Sequence, residues 1–140
     1  VLDKMIDIIE YNNITPVICI SKYDLLDDTK EIDEIINNSI KYCDNNRKSY
    51  IMFYIEDNEK ETTLHIKDNG IGVNASDLKH VFDKSFTGAN GRKMRNSTGF
   101  GLYISKKLIE KLGHKISATS EENKYFEITI TFGKNDLYKI

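Results

Sequence analysis

Two glycine-bearing stretches have the residue types that hold a phosphorylated ligand. In Ser97-Thr98-Gly99-Phe100-Gly101-Leu102, two glycines open a segment of helical periodicity that Gly113 closes. A helix beginning there leaves its first backbone N–H groups unpaired at the positive dipole end, and glycine lets a phosphate come close. In Asp68-Asn69-Gly70-Ile71-Gly72, a carboxylate at the end of an apolar run precedes two more glycines. Such a carboxylate accepts a hydrogen bond from an exocyclic amine such as adenine N6, and the glycines let a base lie against the backbone. Taken singly, the same letters also suit a glycine-started helix and an ordinary turn.

A third group sits on a helix expected from about Lys30 to Cys43, with Asp27-Asp28-Thr29 supplying N-cap chemistry. At about 100° per residue, Ile32, Ile35, Ile36, Ser39, Ile40 and Cys43 share one face, the core side. Glu34, Asn38, Lys41, Tyr42 and Asn45 share another. A solvated face is the plain alternative. Yet Asn37-Asn38 is unfavourable inside a helix, and the Asn38 amide oxygen is of the kind Mg²⁺ accepts beside phosphates. Lys41 adds an ammonium for phosphate, and Tyr42 a flat ring for stacking.

The elements that must position these groups follow from the pattern around them. Val1 to Glu10 suits a helix, and Val17-Ile18-Cys19-Ile20 after Pro16 reads as a strand. Tyr50–Glu56 and Thr62–Lys67 read as a hairpin around Asp57-Asn58-Glu59-Lys60, and the second strand runs into Asp68. Ser76 is the expected cap of a short helix, and 86–96 has no periodicity, the pattern of a mobile loop. In the Gly99 helix, Ile104, Leu108 and Leu112 form an apolar face with Gly101 one turn before. His114–Ser120 and Tyr125–Phe132 read as a closing hairpin. This order implies an α/β fold, a mixed sheet with helices on one face.

The 140 residues suffice for one domain with one core. With 30% charged and 39% hydrophobic residues the composition is that of a soluble globular chain. A net charge of −2 points to no nucleic-acid partner. No apolar run nears the roughly 20 residues of a membrane span, and nothing reads as a signal peptide. Cys19 and Cys43 read as free thiols of a reducing compartment. A start at Val1 is the expected mark of a piece of something longer.

In order, Asn38-Ser39-Ile40-Lys41-Tyr42, Asp68-Asn69-Gly70-Ile71-Gly72, Val81-Phe82-Asp83-Lys84-Ser85-Phe86 and Thr98-Gly99-Phe100-Gly101-Leu102 resemble the N, first glycine, F and second glycine boxes of bacterial sensor histidine kinases. The resemblance runs from about Thr29 to Phe132. The stretch Phe86 to Arg92 followed by Ser97-Thr98-Gly99 is most similar to the short-sensor, antimicrobial-peptide-responsive kinases of Gram-positive bacteria.

The resemblance implies a two-layer α/β sandwich of the Bergerat type, shared with gyrase-like ATPases, over residues 16–140. Residues 1–15 would be a connecting segment from dimerisation helices. It implies ATP and Mg²⁺ as cofactors. Asn38 would hold the metal, Lys41 would approach the phosphates, Tyr42 would line the adenine side, and Asp68 would bind adenine N6. Gly70 and Gly72 would shape the base pocket, and Phe86, Thr98, Gly99, Gly101 and Leu102 would contact the nucleotide. The segment 86–96 would be an ATP lid, with Arg92 or a neighbouring cation near the γ-phosphate. The implied partners are a dimerisation and phosphoacceptor domain of the same protein and a response regulator. The whole would be a homodimeric cell-membrane protein with this domain in the cytoplasm.

Ser97 departs from the glycine usual at its place, and Glu34 stands where these kinases often have Asn and gyrase-like ATPases have their water-activating glutamate. Glu34 and Lys41 are thus the candidate catalytic pair, and a stand-alone ATPase with Glu34 as general base is the alternative. A non-catalytic nucleotide-sensing module on the same fold is a third reading. His65, His80 and His114 lie outside any helix suited to a phosphoacceptor and read as structural or surface residues.

Overall fold

The computed structural model describes residues 15–19, 30–88 and 99–134. Among them, β1 (Thr15–Cys19), β2 (Tyr50–Asp57), β3 (Glu61–Asp68), β4 (Lys115–Glu121) and β5 (Tyr125–Gly133) form one sheet in the order β1-β2-β3-β5-β4. β1 runs parallel to β2, and the other three pairings are antiparallel. Parallel neighbours need a long crossover, and α1 (Lys30–Lys41) lies within this one. With α2 (Ala75–Leu78) and α3 (Gly101–Lys111) the described elements make the expected α/β sandwich, a mixed sheet with its helices on one face. The expected N-terminal helix, the cap at Asp27–Thr29 and the segment 89–98, with Arg92, Lys93, Arg95, Ser97 and Thr98, lie outside the described residues.

The core follows strand parity. Thr62, Leu64, Ile66 and Asp68 are buried on one face of β3, in register with Phe132, Ile130, Ile128 and Phe126 of β5. Against them α1 lays Ile32, Ile35 and Ile36, each about 1% exposed, and α3 lays Ile109. Each such isoleucine contributes roughly 1.5–3 kcal/mol by leaving water. Asp68 continues the inward alternation, so the parity that builds the core also turns this carboxylate inward.

Three local expectations change. Ile104 and Leu112 are 44% and 63% exposed, and α3 buries Ser105 and Ile109 instead. α3 lies against α1, and Ser105 is fully buried one turn along from Gly101, which faces Glu34 of α1. The cap of α2 is Asn74, whose Oδ1 accepts the Asp77 N–H at 2.9 Å; Ser76 only donates its hydroxyl to that same oxygen. α1 ends at Lys41 rather than Cys43, where the Cys43 N–H turns to the Ile40 carbonyl in a tightened last turn. The far end of α3 is as expected. Gly113 takes φ +82°, its N–H bonds to the Glu110 carbonyl, and the His114 N–H reaches the Ile109 carbonyl, a Schellman cap.

Each of the three histidines is engaged by neighbouring side chains. His65 stacks on Tyr54 with centroids 4.3 Å apart and pairs with Glu56 and Glu127, each at 3.2 Å. The Tyr54 hydroxyl also donates to Glu127. Burial first, then the Glu127 carboxylate, pushes the Tyr54 phenol up to about 12. His80 sits past the end of α2 beside Asp83, and His114 packs on Phe132.

Candidate functional site

Burying one stripe of α1 decides where the next stripe points. Glu34, Asn37, Asn38, Lys41 and Tyr42 line a cleft of about 650 Å³ whose other wall includes Gly99 and Gly101. A second cleft, of about 640 Å³, is lined by Asp68, Gly72, Asn74, Asp77 and Phe126 among others. Asn38, Tyr42, Val81, Phe86, Thr87 and Leu102 line both, so the two are one groove.

At its inner end Asp68 is 5% exposed. Its Oδ1 accepts the Gly70 N–H at 2.9 Å, and the Ser39 hydroxyl and the Phe126 backbone also bond the carboxylate. These bonds and the Arg47 charge favour ionisation, but burial outweighs them and lifts the carboxyl to about 6. Apolar walls from Val81, Leu102 and Phe126 beside one buried acceptor suit a flat base with an amine.

The loop after β3 is held from both sides. The Ile71 N–H donates to the Tyr42 carbonyl at 3.0 Å, and the Ile71 carbonyl accepts the Asn123 N–H at 2.7 Å. Asn69 clips the loop to β2, accepting the Tyr50 N–H and donating to the Lys48 carbonyl. Gly72 takes φ +63°, and a Cβ on it would stand 2.3 Å from the Glu121 carbonyl oxygen, so only glycine passes there. Gly70 lines neither half of the groove; it works through the backbone, where a Cβ would stand 2.4 Å from the Tyr42 carbonyl oxygen.

At the outer end a Cβ on Gly99 would meet the Ser85–Phe86 backbone at 2.5–2.8 Å. The approach to α3 is therefore pressed against the end of the 81–86 stretch, where Ser85 itself takes φ +63°. Gly101 opens α3 facing Glu34, with 3.1 Å between the Glu34 Oε2 and the place of an added Cβ. Lys41 lies 5.6 Å from the centre of the Tyr42 ring. Among the described residues no three His, Cys, Asp or Glu side chains cluster as a metal cage. The Asn38 amide and Glu34 carboxylate are hard oxygen donors, and they fit Mg²⁺ as a cation that a triphosphate brings and shares.

The structure thus brings Glu34, Asn38, Lys41, Tyr42, Asp68, Gly72, Phe86, Gly99, Gly101 and Leu102 to one groove. Asn45, grouped with them by helical angle, lies past the end of α1 and takes the Cys43 thiol instead. Arg92 and Thr98 lie outside the described residues. Sequence reasoning missed Ser39 as a partner of Asp68, because it counted only as a core position. It also missed Asn74 and Asp77, although their spacing is that of a capped helix start.

Residues 30–136 match the family model described as histidine kinase-, DNA gyrase B-, and HSP90-like ATPase. The sensor histidine kinase YxdK of Bacillus subtilis is 34% identical over 103 residues, covering 72% of this chain and 31% of YxdK. WalK of the same organism is 37% identical over 106 residues, 74% of this chain and 17% of WalK. The sensor protein kinase GraS of Staphylococcus aureus is 31% identical over 101 residues, 72% of this chain and 28% of GraS. The chain thus spans a third or less of these relatives. The structure of the mycobacterial sensor histidine kinase MprB superposes with a TM-score of 0.79 at 18% identity, covering 94% of this chain and 92% of that one, a shared fold.

Proposed function

This chain belongs to the family of histidine kinase-, DNA gyrase B- and HSP90-like ATPases, and we propose that it serves as the catalytic ATP-binding domain of a two-component sensor histidine kinase. It binds Mg·ATP and passes the γ-phosphoryl group to a histidine on a dimerisation domain of the same protein. The observation that carries this reading is the single groove with a buried acceptor, Asp68, at one end and Asn38, Lys41, Gly99 and Gly101 at the other.

Adenine enters the inner end, where Asp68 accepts from N6 and Tyr42 and Phe126 border the ring. Lys41 and the backbone at Gly99 and Gly101 meet the phosphates, and Leu102 and Phe86 close the middle. Mg²⁺, when bound, would neutralise phosphate charge, with Asn38 as its protein ligand. In the transfer, a histidine imidazole nitrogen forms a bond to the γ-phosphorus, the bond to the β–γ bridging oxygen breaks, and ADP departs with that electron pair. Glu34 takes the proton carried by the other ring nitrogen, which leaves as the phosphoimidazole forms. Positioning and charge neutralisation supply most of the rate in such transfers.

The whole protein is read as a membrane-bound homodimer, with this domain in the cytoplasm and a response regulator receiving the phosphate from the histidine. Residues 1–15 are read as the link to the dimerisation helices. Among the described residues no helix is long and apolar enough to cross a membrane.

Hydrolysis by the chain alone is the second reading, favoured by Glu34 facing Gly101 at the phosphate end. Incubating the chain with ATP, with and without a histidine-bearing dimerisation domain, separates the two. Base-stable, acid-labile phosphohistidine formed only with that domain supports the kinase. Rapid phosphate release without it supports the ATPase.

A further inference from the structure

We propose that Arg47 is a positioning residue for the base end of the groove: it clamps the Gly70 peptide and so holds the Asp68 carboxylate in place to read the nucleotide base. The inference deepens the nucleotide reading above and rests on it.

Arg47 lies between α1 and β2, outside the groove. Its Nη2 donates to the Gly70 carbonyl at 2.7 Å and to the Lys124 carbonyl at 3.3 Å. Its Nε pairs with Asp44 Oδ2 at 3.3 Å, and the other Asp44 oxygen accepts the Asn46 N–H at 2.9 Å. The arginine is thus aimed by a carboxylate that its own loop holds still. The peptide joining Gly70 to Ile71 is gripped at both poles, its carbonyl by Arg47 and its N–H by the Tyr42 carbonyl at 3.0 Å. One residue back, the Gly70 N–H donates to Asp68 Oδ1 at 2.9 Å. Gly70 therefore connects the guanidinium, through its carbonyl, to the base-reading carboxylate, through its amide.

The geometry asks for arginine. Two carbonyls and a carboxylate are met together by a planar fork, whereas a lysine presents a single ammonium. The bond to Lys124 also ties the β4–β5 turn to the same loop, reinforcing the bond from the Asn123 N–H to the Ile71 carbonyl. The groups acting on Asp68 are the Gly70 N–H, the Ser39 hydroxyl of α1, the Phe126 backbone of β5 and, as the charge, Arg47. Removing Arg47 takes away both the clamp and that charge.

The test titrates ATP and ADP calorimetrically into the chain and its Arg47→Met and Arg47→Lys variants between about pH 5 and 8. Amide exchange at Ile71 and the melting temperature are measured without nucleotide. Arg47→Met is expected to bind both nucleotides about tenfold more weakly at neutral pH. Its affinity falls off at a higher pH than the wild type's, and its Ile71 amide exchanges faster. Arg47→Lys brings the pH midpoint back towards wild type while affinity stays reduced. An Arg47→Met variant with wild-type affinity and pH midpoint overturns the proposal, and so does a lowered melting temperature with the pH midpoint unmoved, which marks a structural tie. If the wild-type chain binds no ATP, the nucleotide reading falls and takes the positioning role with it. Tight wild-type binding beside an unchanged variant overturns the positioning role alone.

Discussion

The Oε2 of Glu34, on α1, lies 3.1 Å from the point where a Cβ on Gly101 of α3 would stand. The outer end of the groove is therefore bounded by a carboxylate on one helix and by a helix start without a side chain on the other. Gly101 is helical, and the neighbour it would crowd is the end of an exposed, flexible side chain. Gly101→Ala should thus leave the fold intact, or stabilise it by about 0.4–1 kcal/mol, while ATP binding weakens because the new methyl enters the phosphate cradle. Thermal unfolding with and without ATP checks this; equal loss of both would make the glycine a folding requirement.

Asp68→Asn should weaken ATP and ADP alike, by about 1–3 kcal/mol, because one partner of a buried hydrogen bond changes character. Calorimetric titration of both nucleotides measures it, and wild-type affinity in the variant would show that the base is read elsewhere.

The raised Asp68 carboxyl makes stability and binding run in opposite directions with pH. Its pKa moves from 3.8 unfolded to about 6 folded, so between those values the native state holds more proton than the unfolded state. Its contribution to stability is complete below about pH 4 and is lost as pH rises through 6, on the order of 3 kcal/mol across the window. Base binding favours the ionised acceptor and so strengthens as pH rises through the same range. Unfolding of the empty chain from about pH 4 to 8, compared with Asp68→Asn, should show this slope in the wild type and its absence in the variant.

Glu34→Gln should keep ATP affinity within a few-fold of wild type but lower transfer to a supplied phosphoacceptor domain, by about 10²–10⁴-fold if the carboxylate accepts the proton. Hydrolysis by the chain alone should be slow in both forms. No change in either rate would leave Glu34 a surface carboxylate, where ion pairs count for little.

Helix α3 offers a check on packing. Ile109→Ala removes a side chain 3% exposed and should cost about 2–5 kcal/mol, whereas Ile104→Ser and Leu112→Ser should stay within about 0.5 kcal/mol. Chemical denaturation of the three variants decides which stripe faces the core.

What the sequence determined by itself was local and periodic. Alternation in Glu61–Asp68 puts Asp68 on the face of Leu64 and Ile66, and helical spacing in Lys30–Lys41 puts Glu34, Asn38 and Lys41 on one stripe beside the isoleucines. Four motifs in order were enough to identify the family, two of them marked by glycines where backbone comes close and the other two by polar and aromatic residues at fixed spacing. The tertiary structure decided the rest. Periodicity says which residues share a face but not which face a neighbour will cover. In α3 the apolar stripe of Ile104, Leu108 and Leu112 was the more conspicuous in the letters, yet Ile104 and Leu112 are exposed and Ser105 and Ile109 are buried, because α3 packs against α1 and turns Gly101 towards Glu34. Arg47 and Ser39 were illegible for the same reason. Their partners, Gly70 and Asp68, lie more than 20 residues away in the chain and are brought within reach only when β3 returns beside β2 beneath α1.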